Sequence, residues 1–431
     1  MRTTARWLFL TGVFIAVVWP RYFYISLAGR GVSGFTFITL VLMVYGLFLF
    51  IFIPAWQPVV IRGIRKTLLP LAATGAYYGW KLICDASGAA PEISLGLTFR
   101  DIVFTTSWLL IGAIYLSDER NYRVFPFVII SSALVATFAG FAEFVTGTPL
   151  LDLVGLSRFS AASADVLNAI NSASSDFGNL RIKAVFSHPI VYGQVMAMLV
   201  PLAMTFVLNG SGRQRLTGML LLPCIMISIF ICQSRSPLVV LAIALGFFVG
   251  AYTLDIRRSG RMLMFIVFVS LAVASLPLLL DQAMSLMTGT SAREVASSAV
   301  RELQMERAGA ALQYQPITGY GNGMAGQYAG VQGRHNATTV DSAYIVAAVD
   351  AGYVGLCLYI TMLLTFTFHG LFLAMRESQS WERSLLASFA ALIAGCAAGL
   401  SIIAIDDALV FVFLIIGYFI VYSGRKGMIK I

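Results

Sequence analysis

Long apolar runs separated by short polar connections follow one another along the whole chain. A membrane crossing needs about 20 mainly apolar residues. Runs of that kind lie near 7–28, 34–54, 67–84, 99–117, 123–146, 188–209, 214–233, 236–254, 262–280, 343–375, 384–404 and 408–423. The run at 343–375 is too long for one perpendicular span, and Gly352 and Gly355 are where a short lead-in helix would separate from a membrane helix. The pattern predicts an all-α integral membrane protein of about twelve transmembrane helices, forming a single polytopic membrane domain over 1–431. Two long polar connections interrupt it, at 147–187 and, between the ninth and tenth spans, at 281–341.

Composition excludes the main alternative. Charged residues make up 11% of the chain, against about 25% in soluble domains. The net charge of +9 does not call for nucleic acid, because Lys and Arg cluster in the short connections, as the positive-inside rule requires. With the N-terminus inside, the inner connections hold Arg62, Arg65 and Lys66; Arg120 and Arg123; Arg213 and Arg215; Arg257, Arg258 and Arg261; Arg376 and Arg383; and Arg425, Lys426 and Lys430. Both termini are then cytoplasmic and both long connections face outward. The segment 85–98, with Asp85 and Glu92, is expected as an outer loop. The chain starts Met-Arg-Thr-Thr-Ala-Arg, with no small-x-small cleavage site behind it, so the first run is expected to stay as a helix. Cys84, Cys224, Cys232, Cys357 and Cys396 lie in apolar runs without CxxC spacing, which fits packing rather than metal or redox chemistry. No metal or cofactor is expected.

Four polar features break the apolar pattern. Arg181-Ile-Lys183-Ala-Val-Phe-Ser-His188-Pro189 leads into the sixth span; its cations either snorkel to lipid headgroups or bind an anionic ligand. Gln233-Ser234-Arg235-Ser236-Pro237 joins two spans, and Arg235 is the sole charge between Arg215 and Asp255. A charge there needs an anionic partner: an internal ion pair, or a phosphate, which suits the planar guanidinium fork. Arg301 and Arg307 lie on an expected helix that runs into Pro316-Ile-Thr-Gly319-Tyr320-Gly321-Asn322-Gly323; no Walker lysine follows this turn. Asp341-Ser342 stands where the outer connection re-enters the membrane, with Asp350, Gly352 and Gly355 beyond it. Asp341 suits either a general base or a helix cap. His335, six residues earlier in a polar stretch, is a further possible base.

In this order, and on these sides of the membrane, the four elements resemble the O-antigen ligase/polymerase superfamily of bacterial envelope enzymes, over roughly 180–360 as the ligase-like core. The resemblance implies a fold similar to C-type glycosyltransferases, in the bacterial inner membrane. It implies transfer of a glycan from undecaprenyl diphosphate at the periplasmic face, without metal or nucleotide. The donor diphosphate would be held by Arg235 and Arg301, with Arg181, Lys183 and Arg307 helping, and Asp341 would deprotonate the acceptor hydroxyl. His188 and His335 are secondary candidates. The ligases that attach O-antigen to lipid A–core resemble one another in a histidine where this chain has Asp341. The expected activity is therefore polymerisation of lipid-linked repeat units for O-antigen, capsule or exopolysaccharide, with ligation to lipid A–core or another acceptor as the alternative. The expected partners are the lipid-linked donor, a glycan or lipid acceptor, membrane lipids and a chain-length regulator. A transporter or flippase is the reading from another class. It predicts mid-span charges and inverted repeats; Lys81, Glu143 and Asp406-Asp407 are the only candidates for the first, and no repeat is evident.

Overall fold

The structure, a computed structural model, describes residues 2–19, 23–27, 30–153, 155, 181–253, 292–332, 338–404 and 408–426. Among them, eight helices are long and apolar enough to cross a membrane: Gly34–Phe52, Pro91–Tyr115, Glu119–Thr146, Pro189–Asn209, Gly212–Ile231, Ala343–Arg376, Ser380–Leu400 and Leu409–Lys426. Thr3–Val18 and Ser236–Tyr252 are apolar but shorter. The chain is an all-α membrane protein. The expected span 262–280 lies outside the described residues, as do most of 147–187, His335, Asp406 and Asp407.

Contacts divide the chain into two compact units, the first comprising Met1–Leu71, Ile102–Leu238 and Asp406–Ile431. It begins with α1 (Arg2–Val18) and an antiparallel pair, β1 (Tyr24–Leu27) and β2 (Arg30–Ser33). The first predicted span stops short because Trp19 precedes Pro20, and the residue before a proline is pushed out of the α region. Next come α2 (Gly34–Phe52) and the short α3 (Gln57–Lys66). The core forms where α2 meets a later helix, Trp108–Tyr115. Trp108 donates its indole N–H to Thr39 Oγ1 at 3.2 Å, and Tyr115 donates its hydroxyl to the Leu42 carbonyl at 3.1 Å. Each large ring therefore keeps its polar tip satisfied in an apolar interior.

The second unit comprises Ala72–Asp101 and Val239–Ile405. Most of α4 (Leu68–Ser87) and all of α5 (Pro91–Asp101) belong to it. The expectation of an outer loop at 85–98 is corrected here. Residues 91–101 are helical and continue through a π-helical turn, Ile102–Thr106, into α6 (Trp108–Tyr115) of the first unit. Of the two acidic residues that marked this stretch as a loop, Glu92 is exposed but Asp85 is fully enclosed, as are Ser94 and Thr98. The first unit also holds α7 (Glu119–Thr146), α8 (Leu150–Leu153), α9 (Pro189–Asn209) and α10 (Gly212–Ile231). The chain then runs through α11 (Ser236–Thr253), α12 (Ala292–Tyr314) and α13 (Ala325–Tyr328). A two-residue ladder follows, β3 (Val331–Gln332) with β4 (Thr338–Thr339), then α14 (Ala343–Arg376), α15 (Ser380–Leu400) and, back in the first unit, α16 (Leu409–Lys426).

The division expected in the tenth run is present. Gly352 sits inside α14 with φ 70° and ψ −178°, outside helical geometry. The break frees carbonyls that a continuous helix would use internally, and a buried carbonyl must find another donor. Val349, Asp350 and Ala351 find theirs in the Tyr320 amide (2.9 Å), the Gly321 amide (2.8 Å) and the Trp80 indole (2.9 Å). In return the Tyr353 amide donates to the Pro316 carbonyl at 2.8 Å. The glycine-rich turn seen in the sequence is thus a plug for the helix break. Gly319, Gly321 and Gly323 all have positive φ there, the backbone region that only glycine enters without strain.

Candidate functional site

The candidate residues fall on the two units separately. In the second unit, Arg301 and Asp341 come together. Arg301 lies on α12, which stops at Tyr314 just ahead of Gln315-Pro316. Gln304, one turn on from Arg301, is fully buried. It donates to the Thr339 carbonyl (3.0 Å) and accepts from the Asp341 amide (3.2 Å). This two-way hook fixes the backbone that carries Asp341. The Asp341 carboxylate then lies 4.0 Å from Arg301 Nε, with both side chains part-exposed. The N-cap of α14 is Ser342, so Asp341 is turned to the arginine rather than to capping. Burial pushes the Asp341 carboxyl above the ordinary carboxylate range, while Arg301 and a Gln304 hydrogen bond oppose the rise. A carboxyl raised in this way holds a proton more readily, which suits a base that must accept one. Arg307 donates Nη1 to the Gly330 carbonyl at 2.5 Å, which ties α12 to the chain ahead of β3. Tyr320 and Tyr328 stack at 3.7 Å on the neighbouring cluster around Ala308, Ala325, Ala329 and Val349.

The same unit holds a network that sequence reasoning missed. The Asp350 carboxylate accepts from the Gly323 amide (3.0 Å) and the Ala325 amide (2.8 Å). Asp85 accepts from the Asn322 amide at 2.7 Å. The Asn322 side chain donates to Thr98 (3.0 Å) and Asp101 (3.3 Å), and Asp101 pairs with Lys81 at 3.2 Å. One turn is therefore anchored on α4, α5 and α14. The available signal was Lys81, Asp85 and Asp101 standing in or beside apolar segments. Replacing Asp350 with Ala strands the buried Ala325 amide, at a cost of about 1–3 kcal/mol, and frees the more exposed Gly323 amide. Asp350→Ala is expected to lower thermal stability in detergent clearly, and Asp350→Asn, which keeps an acceptor, to lower it less.

In the first unit, the segment 181–188 is packed inside rather than laid on the surface. Arg181 is 4% and Lys183 1% exposed, so the headgroup-snorkelling alternative does not describe them. Arg181 donates Nε to the Cys232 carbonyl at 3.4 Å, just before the turn that bears Arg235. Gln194 and Ser234 both hydrogen-bond Ser236 in that turn, at 3.4 and 3.2 Å. His188 is the N-cap of α9 and accepts the Ile190 amide on Nδ1 at 3.1 Å. Ala184 and Gln233, each with φ 50°, are the positive-φ non-glycine residues among those described, and they fall in the two segments that carry Arg181, Lys183 and Arg235. Strained backbone of this kind persists where its surroundings over-determine it, and such places cluster at functional sites.

Taken together, these features define a polytopic all-α membrane protein with arginine-bearing irregular segments and an Arg–Asp pair at the head of a broken helix. Residues 218–360 match the family described as O-antigen ligase, a match that supports the O-antigen ligase/polymerase superfamily. Members of this family are membrane enzymes that transfer glycans, and their substrates are lipid-linked glycans. The match contains Arg235, Arg301, Arg307 and Asp341, and Arg181, Lys183 and His188 precede it. No curated protein matches the chain.

Proposed function

We propose that this protein is a polymerase of lipid-linked glycan repeat units, acting at the periplasmic face of the bacterial inner membrane with both termini in the cytoplasm. The observation that carries this reading is the Arg301–Asp341 pair, held by buried Gln304 within the family-matched stretch. In the reaction, the bond between the anomeric carbon and the undecaprenyl diphosphate breaks as an acceptor hydroxyl attacks. Negative charge grows on the departing diphosphate, and preorganised cations aimed at developing charge lower the barrier. Arg301 and Arg235 are assigned to that charge, with Arg181, Lys183 and Arg307 in support. Asp341 takes the proton of the acceptor hydroxyl. The acceptor is a second lipid-linked glycan, and a chain-length regulator is the expected protein partner.

The second reading is ligation of a finished glycan to lipid A–core or another acceptor, since the matched family is described as O-antigen ligase. Deleting the gene and separating the surface glycans by size tests both. A polymerase predicts surface glycan capped at one repeat unit, or loss of one exopolysaccharide. Long lipid-linked glycan accumulating without attachment would make the protein a ligase. Unchanged glycans would remove the transferase reading.

A further inference from the structure

We infer that Glu143 is a positioning residue for donor binding: its carboxylate fixes the backbone of residues 183–184 so that Arg181 and Lys183 present their charge from a buried, single arrangement. This assignment rests on the glycan-transferase reading and names a residue outside the family-matched stretch, one that the sequence marked only as a mid-span charge.

Glu143 lies in the last turn of α7 and is 1% exposed. The helix closes at Thr146 with Gly147 as its cap, and the chain returns to the same carboxylate twice. Oε1 accepts the amide of Leu150, the first residue of α8, at 2.9 Å. Oε2 accepts the amides of Lys183 at 3.0 Å and Ala184 at 2.7 Å. Three amides on one buried carboxylate is an arrangement in which every bond is charge-assisted, the stronger kind. It accounts for Ala184, whose φ of 50° is costly for a residue with a Cβ. Both amides on Oε2 belong to the segment that bears the cations, so the geometry of Lys183 is set from α7.

The same carboxylate exerts the larger of the two attractions on the Lys183 charge. Burial pushes the ammonium down to about 8, against the attraction of Glu143 of α7 and Asp152 of α8. Among the described residues, Tyr192 of α9, which feels Glu143, and Cys232 at the end of α10, which feels Arg181, are further titratable groups at this locus, and His188 lies on the same segment. Lys183 therefore carries its charge at neutral pH and loses it as the pH rises through about 8. A ligand held by that charge is bound below this value and released above it. Neutralising Glu143 removes the attraction and shifts the loss to lower pH.

The test uses the full-length protein in nanodiscs, with undecaprenyl diphosphate as the binding probe and pH as the variable. In the wild type, affinity falls as the pH rises through about 8. Glu143→Gln keeps one acceptor and removes the charge. It is expected to weaken binding about tenfold at neutral pH and to move the alkaline limb down by about one pH unit, the lower end of what an opposite charge at close range does. Lys183→Arg should abolish the limb near pH 8, because a guanidinium does not titrate there. In Lys183→Gln, adding Glu143→Gln should change affinity by less than the sum of the two single effects. A wild-type affinity and pH profile in Glu143→Gln, or no binding by the wild type, overturns the positioning role. Turnover of a lipid-linked glycan by the same preparations reads the polymerase assignment independently. Binding that follows the pattern above without turnover would overturn that assignment and leave Glu143 in place.

Discussion

Arg301→Ala and Asp341→Asn are expected to abolish glycan extension in a deletion strain, at wild-type protein levels. The two side chains have different duties in the proposed reaction. Arg301 meets charge that develops on the leaving diphosphate, and removing one preorganised donor of that type costs about 10²–10³ in rate. Asp341 accepts a proton, a contribution of about 10²–10⁴. Asparagine keeps the shape of Asp341 and the backbone hook to Gln304 while losing the base. Arg301→Lys should recover little, since an ammonium cannot reproduce the planar fork on diphosphate oxygens. The Asp341 carboxyl sits above its ordinary range because of burial, so wild-type activity should fall on acidification sooner than an unshifted carboxylate would allow. Full complementation by both variants would remove the pair from the mechanism.

The second large effect is structural. Gly352→Ala is expected to deplete folded protein in the membrane. At φ 70°, an added Cβ would run into the carbonyls of Ile317 and Pro316. Left-handed strain at a non-glycine residue costs about 1–3 kcal/mol, and the Pro316 carbonyl is held in place by its hydrogen bond from the Tyr353 amide. Gly309→Ala on α12 is the matched control. Nothing lies within 4 Å of a Cβ there, and helical Gly→Ala gains about 0.8–1 kcal/mol of propensity. Size-exclusion profiles and thermal inactivation of tagged protein should separate the two variants clearly. Equal profiles would contradict the account of the helix break.

Much of this architecture is legible in the sequence, because a membrane span writes itself as an unbroken apolar run. The break at Gly352 could be read from a run too long for one crossing. Where reading failed, polar side chains were buried by partners distant in the chain. Asp85 and Glu92 made 85–98 look like a loop, yet Asp85 and Thr98 bond Asn322, more than 220 residues on. Arg181 and Lys183 looked like surface cations at a membrane boundary because the carboxylate beside Lys183 belongs to a helix some 40 residues earlier. Gln304 carried no signal of its own, although its side chain fixes Asp341. Local pattern reports which residues are apolar; it does not report which polar pairs will meet.

The most direct test is reconstitution. Purified protein in proteoliposomes is given undecaprenyl-diphosphate-linked repeat units extracted from the deletion strain, and the lipid-linked and released products are resolved by mass spectrometry. The account predicts a ladder of longer lipid-linked glycans with undecaprenyl diphosphate released for each added unit, both absent with Arg301→Ala. Repeat units that cross the bilayer unlengthened, with no diphosphate lipid released, would contradict it.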